Sequence, residues 1–190
     1  MKNMQNISKI EFCDMTHLSV NINKIATVCN SRGGNVPDVV LAARRIEQYG
    51  ADGITVHPRP DGRHILYSDV RALKEVIHTE FNIEGNPEPD FRALVLEVKP
   101  TQVTLVPDAH DAITSNAGWD TLANAAFLKQ MCSLFHEEGI RVSIFVDPDP
   151  AMVRGAFEAG ADRIELYTAA YAEGYANNPQ KAVAPYIATA

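Results

Sequence analysis

Cysteine is scarce in this chain: Cys13, Cys29 and Cys132 are the only three among 190 residues. They are odd in number, widely spaced and form no C-x-x-C pair. That pattern argues against a disulfide framework or a thiolate zinc site and leaves free thiols in a reducing compartment. Long apolar runs are also missing. No stretch approaches the ~18 residues of a membrane span, and the opening Met1-Lys2-Asn3-Met4-Gln5-Asn6 is too polar for a signal peptide. Nor is there a surplus of positive charge. A net charge of −7 argues against broad binding to nucleic acid or anionic membranes, since both demand a cationic surface that displaces counterions. His17, His78, His110 and His136 lack metal-ligand spacing. These absences set the expectation of a cytoplasmic protein with no metal, no nucleic-acid partner and no membrane contact.

What is present is a soluble, globular composition, 46% apolar and 22% charged. From His17 onward, β-branched runs alternate with longer helical patterns. Strands are expected at 18–23, 53–57, 81–84, 102–106, 141–146 and 163–167. Helices are expected at 37–49, 68–78, 90–98, 120–138 and 150–159, with another beginning at Pro179. Pro37 suits a helix start, Ser68 is a candidate N-cap, and Gly50, Gly139 and Gly160 suit helix ends. One echo supports the division: Tyr49-Gly50-Ala51-Asp52-Gly53-Ile54-Thr55-Val56 repeats in form as Ala159-Gly160-Ala161-Asp162-Arg163-Ile164-Glu165-Leu166. Repeated βα units with near-continuous apolar strands imply a parallel sheet covered by helices.

An open doubly wound sheet and a barrel both fit this alternation. Neither G-x-G-x-x-G nor G-x-x-x-x-G-K-S/T follows any strand, so the open nucleotide-binding fold lacks its phosphate cradle. Polar residues instead recur at or just past strand C-termini: Asn23, His57, Glu84, Asp108, Asp147 and Glu165. That distribution suits the catalytic rim of a (β/α)8 barrel. The expected class is therefore α/β, a (β/α)8 TIM-type barrel with about six βα units present, against the eight units and about 250 residues of a full barrel. Residues 1–16 read as a flexible extension and residues 17–190 as the partial barrel.

The stretch Thr55-Val56-His57-Pro58-Arg59-Pro60-Asp61-Gly62-Arg63-His64 leaves a core strand and carries two His and two Arg. Arg can grip a phosphate through paired N–H groups, and His can transfer protons near neutral pH. The alternative is a solvated basic loop. Glu84 closes the third expected strand, where partial burial would raise its pKa toward a useful base value; an ion-paired surface glutamate is the competing reading. Asn21 and Asn23 would share one strand face, with Lys24 beside them. The loop Asn30-Ser31-Arg32-Gly33-Gly34-Asn35 suits anion contact. Glu165 is either an inward carboxylate or a paired charge, Thr114 lies in a long polar loop, and Trp119 reads as a packing anchor.

Several phrases, in order, resemble the pyridoxine 5′-phosphate synthase family: Val20-Asn21-Ile22-Asn23-Lys24-Ile25-Ala26-Thr27, Gly50-Ala51-Asp52-Gly53-Ile54-Thr55-Val56-His57-Pro58-Arg59 and Arg63-His64-Ile65. Asn82-Ile83-Glu84, Leu105-Val106-Pro107 and Ile164-Glu165-Leu166-Tyr167-Thr168 extend the resemblance, which runs from about residue 18 to Ala190. It implies condensation of two phosphorylated small molecules, 1-deoxy-D-xylulose 5-phosphate and 3-amino-2-oxopropyl phosphate, without a cofactor, by a homo-oligomer. It implies that His57 and Glu84 act as general bases and that Glu165 stabilises the transition state. By the same resemblance Asn21 and Arg32 contact the amino-ketone phosphate, while Arg59, His64 and Thr114 contact the deoxyxylulose phosphate. Many family members carry Asp-His where this chain has Asn23-Lys24, which are carried over as substrate contacts. The family's seventh and eighth strands, a proton-donating histidine and glycine-containing phosphate loops have no counterpart before Ala190, so a C-terminally shortened barrel is expected. Two alternatives remain at this point: another phosphosugar isomerase or aldolase, for which Lys24 is the Schiff-base candidate, and a non-catalytic barrel remnant that binds ligand or partners.

Overall fold

In the computed structural model, which describes residues 16–31, 34–108, 115 and 117–190, strands and helices alternate along the chain. The strands are β1 Ser19–Asn21, β2 Gly53–Val56, β3 Glu80–Gly85, β4 Gln102–Leu105, β5 Arg141–Val146 and β6 Arg163–Leu166. They form one parallel sheet in sequence order, from β1 to β6. The helices are α1 Asn23–Asn30, α2 Val39–Gln48, α3 Tyr67–Lys74, α4 Pro89–Val98, α5 Ala125–His136, α6 Pro150–Ala159, α7 Ala169–Tyr175 and α8 Pro179–Thr189. The sheet curls into part of a (β/α)8 barrel.

The Gly-Ala-Asp echo shows how the repeat is built. Gly50 and Gly160 both take φ +97° after a helix, a left-handed conformation that other residues reach only with strain. Chain reversal follows, with Ala51 N donating to Ile46 O and Ala161 N to Ala156 O. The aspartate of each copy then clips the start of the preceding strand. Asp52 accepts from Leu18 N, and Asp162 from Val142 N, each at 2.8 Å. A histidine joins each carboxylate: His17 stands 3.4 Å from Asp52 and His136 2.8 Å from Asp162.

Period-two alternation divides the strands into two faces. Ile54, Val56, Phe81, Ile83, Val103, Leu105, Val142 and Ile144 enter the hydrophobic core, together with Leu94, Leu128, Phe135 and other helix residues. The alternate positions are polar: Thr55, Asn82, Gln102, Thr104 and Ser143 are all buried. Asn82 Oδ1 accepts from Thr104 Oγ1 at 3.0 Å and from Gln102 Nε2 at 3.3 Å, and Ser19 Oγ lies 2.8 Å from Thr55 Oγ1. The expectation of near-continuous apolar strands therefore holds for one face only. Buried polar groups persist on the other because they satisfy one another.

Other boundaries also differ from those read in the sequence. The first strand ends at Asn21, and Asn23 and Lys24 open α1 instead of continuing it. Asn21 Oδ1 accepts from Asn23 N at 3.0 Å, a local turn that competes with strand geometry. Ser68 is not the cap of α3: Leu66 holds that position, and its N–H donates to Asp69 Oδ2 at 2.8 Å. At α5, Asp120 caps a turn over Leu122 and Ala123, so the helix begins at Ala125. Helix α7 was not expected. Helix α2 begins at Val39 with Asp38 as its cap, accepting from Leu41 N, so Pro37 stands just before the helix. Trp119 is a packing anchor, 9% exposed and 5.8 Å from the Phe127 ring centroid. Cys29 and Cys132 are free thiols; Cys13 and most of the proposed extension lie outside the described residues.

Candidate active site

Strand register places the first two candidates side by side. Val56 pairs with Ile83 across β2 and β3, so the next residues, His57 and Glu84, rise together at the C-terminal rim. His57 Nδ1 stands 3.9 Å from Glu84 Oε2, with the side chains only 12% and 13% exposed. Phe145 pairs with Glu165 across β5 and β6, which puts Glu165 on the polar face as well. Burial raises the pKa of Glu165. Burial also pushes Glu84 well above the usual carboxylate range, reinforced by the negative charges of Glu165 and Asp108. His57 moves the other way, down to about 4, because burial disfavours the imidazolium; Asp108 opposes that shift and Arg59 adds to it. Both changes favour the uncharged form of the group concerned.

Asn23 takes a place other than the one expected. From the first turn of α1 its Oδ1 accepts the backbone N–H of His57 at 2.8 Å, bracing the chain where it leaves β2. Asn21 sits exposed at the end of β1, and Lys24 is exposed on α1. Lys24 does not line the cavity beside His57 and Arg59, so the aldolase alternative is not favoured.

Arg59 follows two residues after His57, its side chain 4% exposed, and Nη1 donates to Asp108 Oδ2 at 3.0 Å. His64 lies further along the same loop, half-buried, its pKa lowered by burial and by the charges of Arg59 and Lys24. The loop is tied down by Asn30 at the end of α1, which donates to His64 O at 2.6 Å. Arg32 and Thr114 lie outside the described residues. Sequence reasoning noted Asp108 as a rim residue but gave it no role. The structure surrounds its carboxylate with Arg59, His57 and Ser115 and hydrogen-bonds its carbonyl to Asn86 Nδ2 at 2.8 Å. The only advance signal was its place just past a strand end.

A cavity of about 360 Å³ opens beside these groups, lined by His57, Arg59, Tyr67, Phe91 and Asp108 among others. Such a volume suits a small metabolite. Among the described residues, no three or more His, Cys, Asp or Glu side chains group as a metal site, and no helix is long and apolar enough to cross a membrane.

Residues 18–190 match the family model described as pyridoxal phosphate biosynthesis protein PdxJ. The chain belongs to the PdxJ family. It is 60% identical over 176 residues to a pyridoxine 5′-phosphate synthase of Cytophaga hutchinsonii, covering 93% of this chain and 74% of that protein. A pyridoxine 5′-phosphate synthase of Phocaeicola vulgatus is 61% identical over 176 residues, with the same coverage. Among solved structures, a flavocytochrome b2 mutant with benzoylformate superposes with a TM-score of 0.61 at 12% identity, covering 93% of this chain and 48% of that one. A mandelate oxidase mutant with benzaldehyde gives 0.60 at 12% identity, over 90% of this chain and 60% of that one. At that identity the likeness is one of fold alone, whereas the PdxJ relationship is one of family.

Proposed function

We propose that this chain carries the site of a pyridoxine 5′-phosphate synthase, joining 1-deoxy-D-xylulose 5-phosphate to 3-amino-2-oxopropyl phosphate to give pyridoxine 5′-phosphate, phosphate and water. The observation that carries the reading is the His57–Glu84 pair, 3.9 Å apart at the barrel rim, in a chain of the PdxJ family. Amine addition to a ketone, dehydration, phosphate loss and ring closure are all proton transfers around carbonyl and enol intermediates. A buried pair favouring its uncharged forms suits them, because one group gives a proton while the other takes one. His57 and Glu84 are the general acid–base groups. Glu165 stabilises charge that develops between them and the β6 side of the rim.

Arg59, His64 and Thr114 hold the deoxyxylulose phosphate, Asn21 and Arg32 hold the amino-ketone phosphate, and Lys24 is a further substrate contact. Asn23 acts through the His57 backbone. Two cationic grips convert a bimolecular encounter into an oriented one. The chemistry draws on these side chains and on no cofactor. Residues 17–190 form a partial-barrel catalytic domain, residues 1–16 stand outside it, and the protein works as a homo-oligomer in the cytoplasm. Support for that division is the family match, which begins at residue 18.

The deciding experiment supplies both phosphorylated substrates to the purified chain and follows pyridoxine 5′-phosphate by absorbance and mass. Product is expected from the parent. His57→Ala and Glu84→Ala should each lower the rate by about 100-fold or more. Full activity in both variants would overturn the assignment.

A further inference from the structure

Asp108 gathers more of the rim than any acid–base residue does. It stands just past β4 with its side chain 7% exposed. Its Oδ2 accepts from Arg59 Nη1 at 3.0 Å and from Ser115 Oγ at 2.9 Å, and lies 3.9 Å from His57 Nε2. Its backbone carbonyl accepts from Asn86, beyond β3. The ends of β2, β3 and β4 therefore meet on one residue. We propose that Asp108 is a positioning residue of this site, a carboxylate that aims the Arg59 guanidinium and fixes the orientation and tautomer of His57. The proposal takes its reaction from the function proposed above, while its geometry stands independently.

A buried guanidinium needs a fixed anion, since desolvated charge without a partner is costly. Asp61 Oδ2 is 3.9 Å from Arg59 Nε, but Asp61 is a quarter exposed and paired with Arg63 at 2.6 Å. Asp108 is the nearer and drier anion. With Ser115 on the same oxygen, it holds the guanidinium where Arg59 lines the cavity.

The imidazole is held by the same charge. Asp108 faces Nε2 and Glu84 faces Nδ1, each at 3.9 Å. A carboxylate on the Nε2 side favours the tautomer with its hydrogen there and leaves the Nδ1 lone pair toward Glu84. Burial raises the proton affinity of Glu84, so the side chain facing that lone pair is the one whose protonation the site favours. The charged groups around His57 are Glu84 on β3, Asp108 beyond β4, and Arg59, Asp61 and His64 in the loop after β2. Among these charges Asp108 acts most strongly on the imidazole, and it favours protonation.

Asp108→Asn tests the idea, because it keeps an acceptor for Arg59 and Ser115 while removing the charge. Heteronuclear NMR titration of the His57 ring in the folded chain should show a lower midpoint and less of the Nε2-protonated tautomer. With both substrates, kcat should fall about tenfold or more, KM for the deoxyxylulose phosphate should rise, and the acid limb of the rate profile should move to lower pH. Asp108→Glu, which keeps the charge but displaces it by one methylene, should hold the His57 midpoint near the parent value while KM rises. It also serves if Asp108→Asn does not fold. An unchanged His57 midpoint and tautomer in folded Asp108→Asn overturns the proposal, as does a shifted midpoint in Asp108→Glu with KM unmoved. A parent chain that makes no product defeats the functional reading alone, because the His57 titration still decides the role of Asp108.

Discussion

Acidification should weaken this fold through His57, and the size of the effect follows from its burial. The folded imidazole protonates near pH 4 rather than at its ordinary 6.5. Between those values the unfolded chain binds a proton that the folded chain refuses. Stability from this residue is therefore complete above about pH 6.5, falls as the pH drops toward 4, and changes no further below it. Each pH unit in the window is worth about 1.4 kcal/mol, giving a total of about 3 kcal/mol. That is a large share of the roughly 5–15 kcal/mol that holds a domain folded. Urea unfolding of the parent and of His57→Gln across this range checks the value, because the glutamine does not titrate. Glu84 and Glu165 act with the opposite sign, being raised by burial; their contribution is full below their unfolded values and is lost as pH rises through the folded ones. They are present in both proteins and largely cancel in the comparison. The variant should lose about 3 kcal/mol less than the parent between neutrality and about pH 4. Parallel stability curves for the two proteins would refute the burial argument.

Three other outcomes follow from the same geometry. Glu84→Gln should melt at a higher temperature than the parent at neutral pH, since burial disfavours the carboxylate, while product formation collapses; a lower melting temperature would contradict the shift. Gly85→Ala would place a Cβ 2.4 Å from the Phe91 ring at the cavity wall, and overpacking of this kind costs about 1–3 kcal/mol, readable by denaturant titration. Asp162→Ala removes the acceptor of Val142 N and the partner of His136. A loss of about 1–3 kcal/mol is expected in urea unfolding, with kcat unmoved because the turn lies at the end of the barrel away from the rim.

Much of the fold was legible because it depends on local chemistry. Glycine at Gly50 and Gly160 announced left-handed helix ends, and β5 and α6 begin and end where apolar periodicity places them. His57 and Glu84 stood out because each closes an apolar strand in the sequence, whereas Glu165 read equally as an inward carboxylate or a paired charge. The first strand was misjudged for an equally local reason: Asn21 turns its side chain onto Asn23 N, a contact that residue alternation does not reveal.

The amino-acid sequence by itself determined the order of the βα units, the rim on which polar groups collect, and the family to which the chain belongs. Only the tertiary structure decided which of those polar groups meet. Register across parallel strands set His57 against Glu84, and the closure of three strand ends brought Asp108 onto Arg59 and His57, residues 49 and 51 positions earlier in the chain. Burial then separated the proton affinities of His57 and Glu84 in opposite directions. That effect depends on how much water each group loses on folding, a quantity no single residue carries.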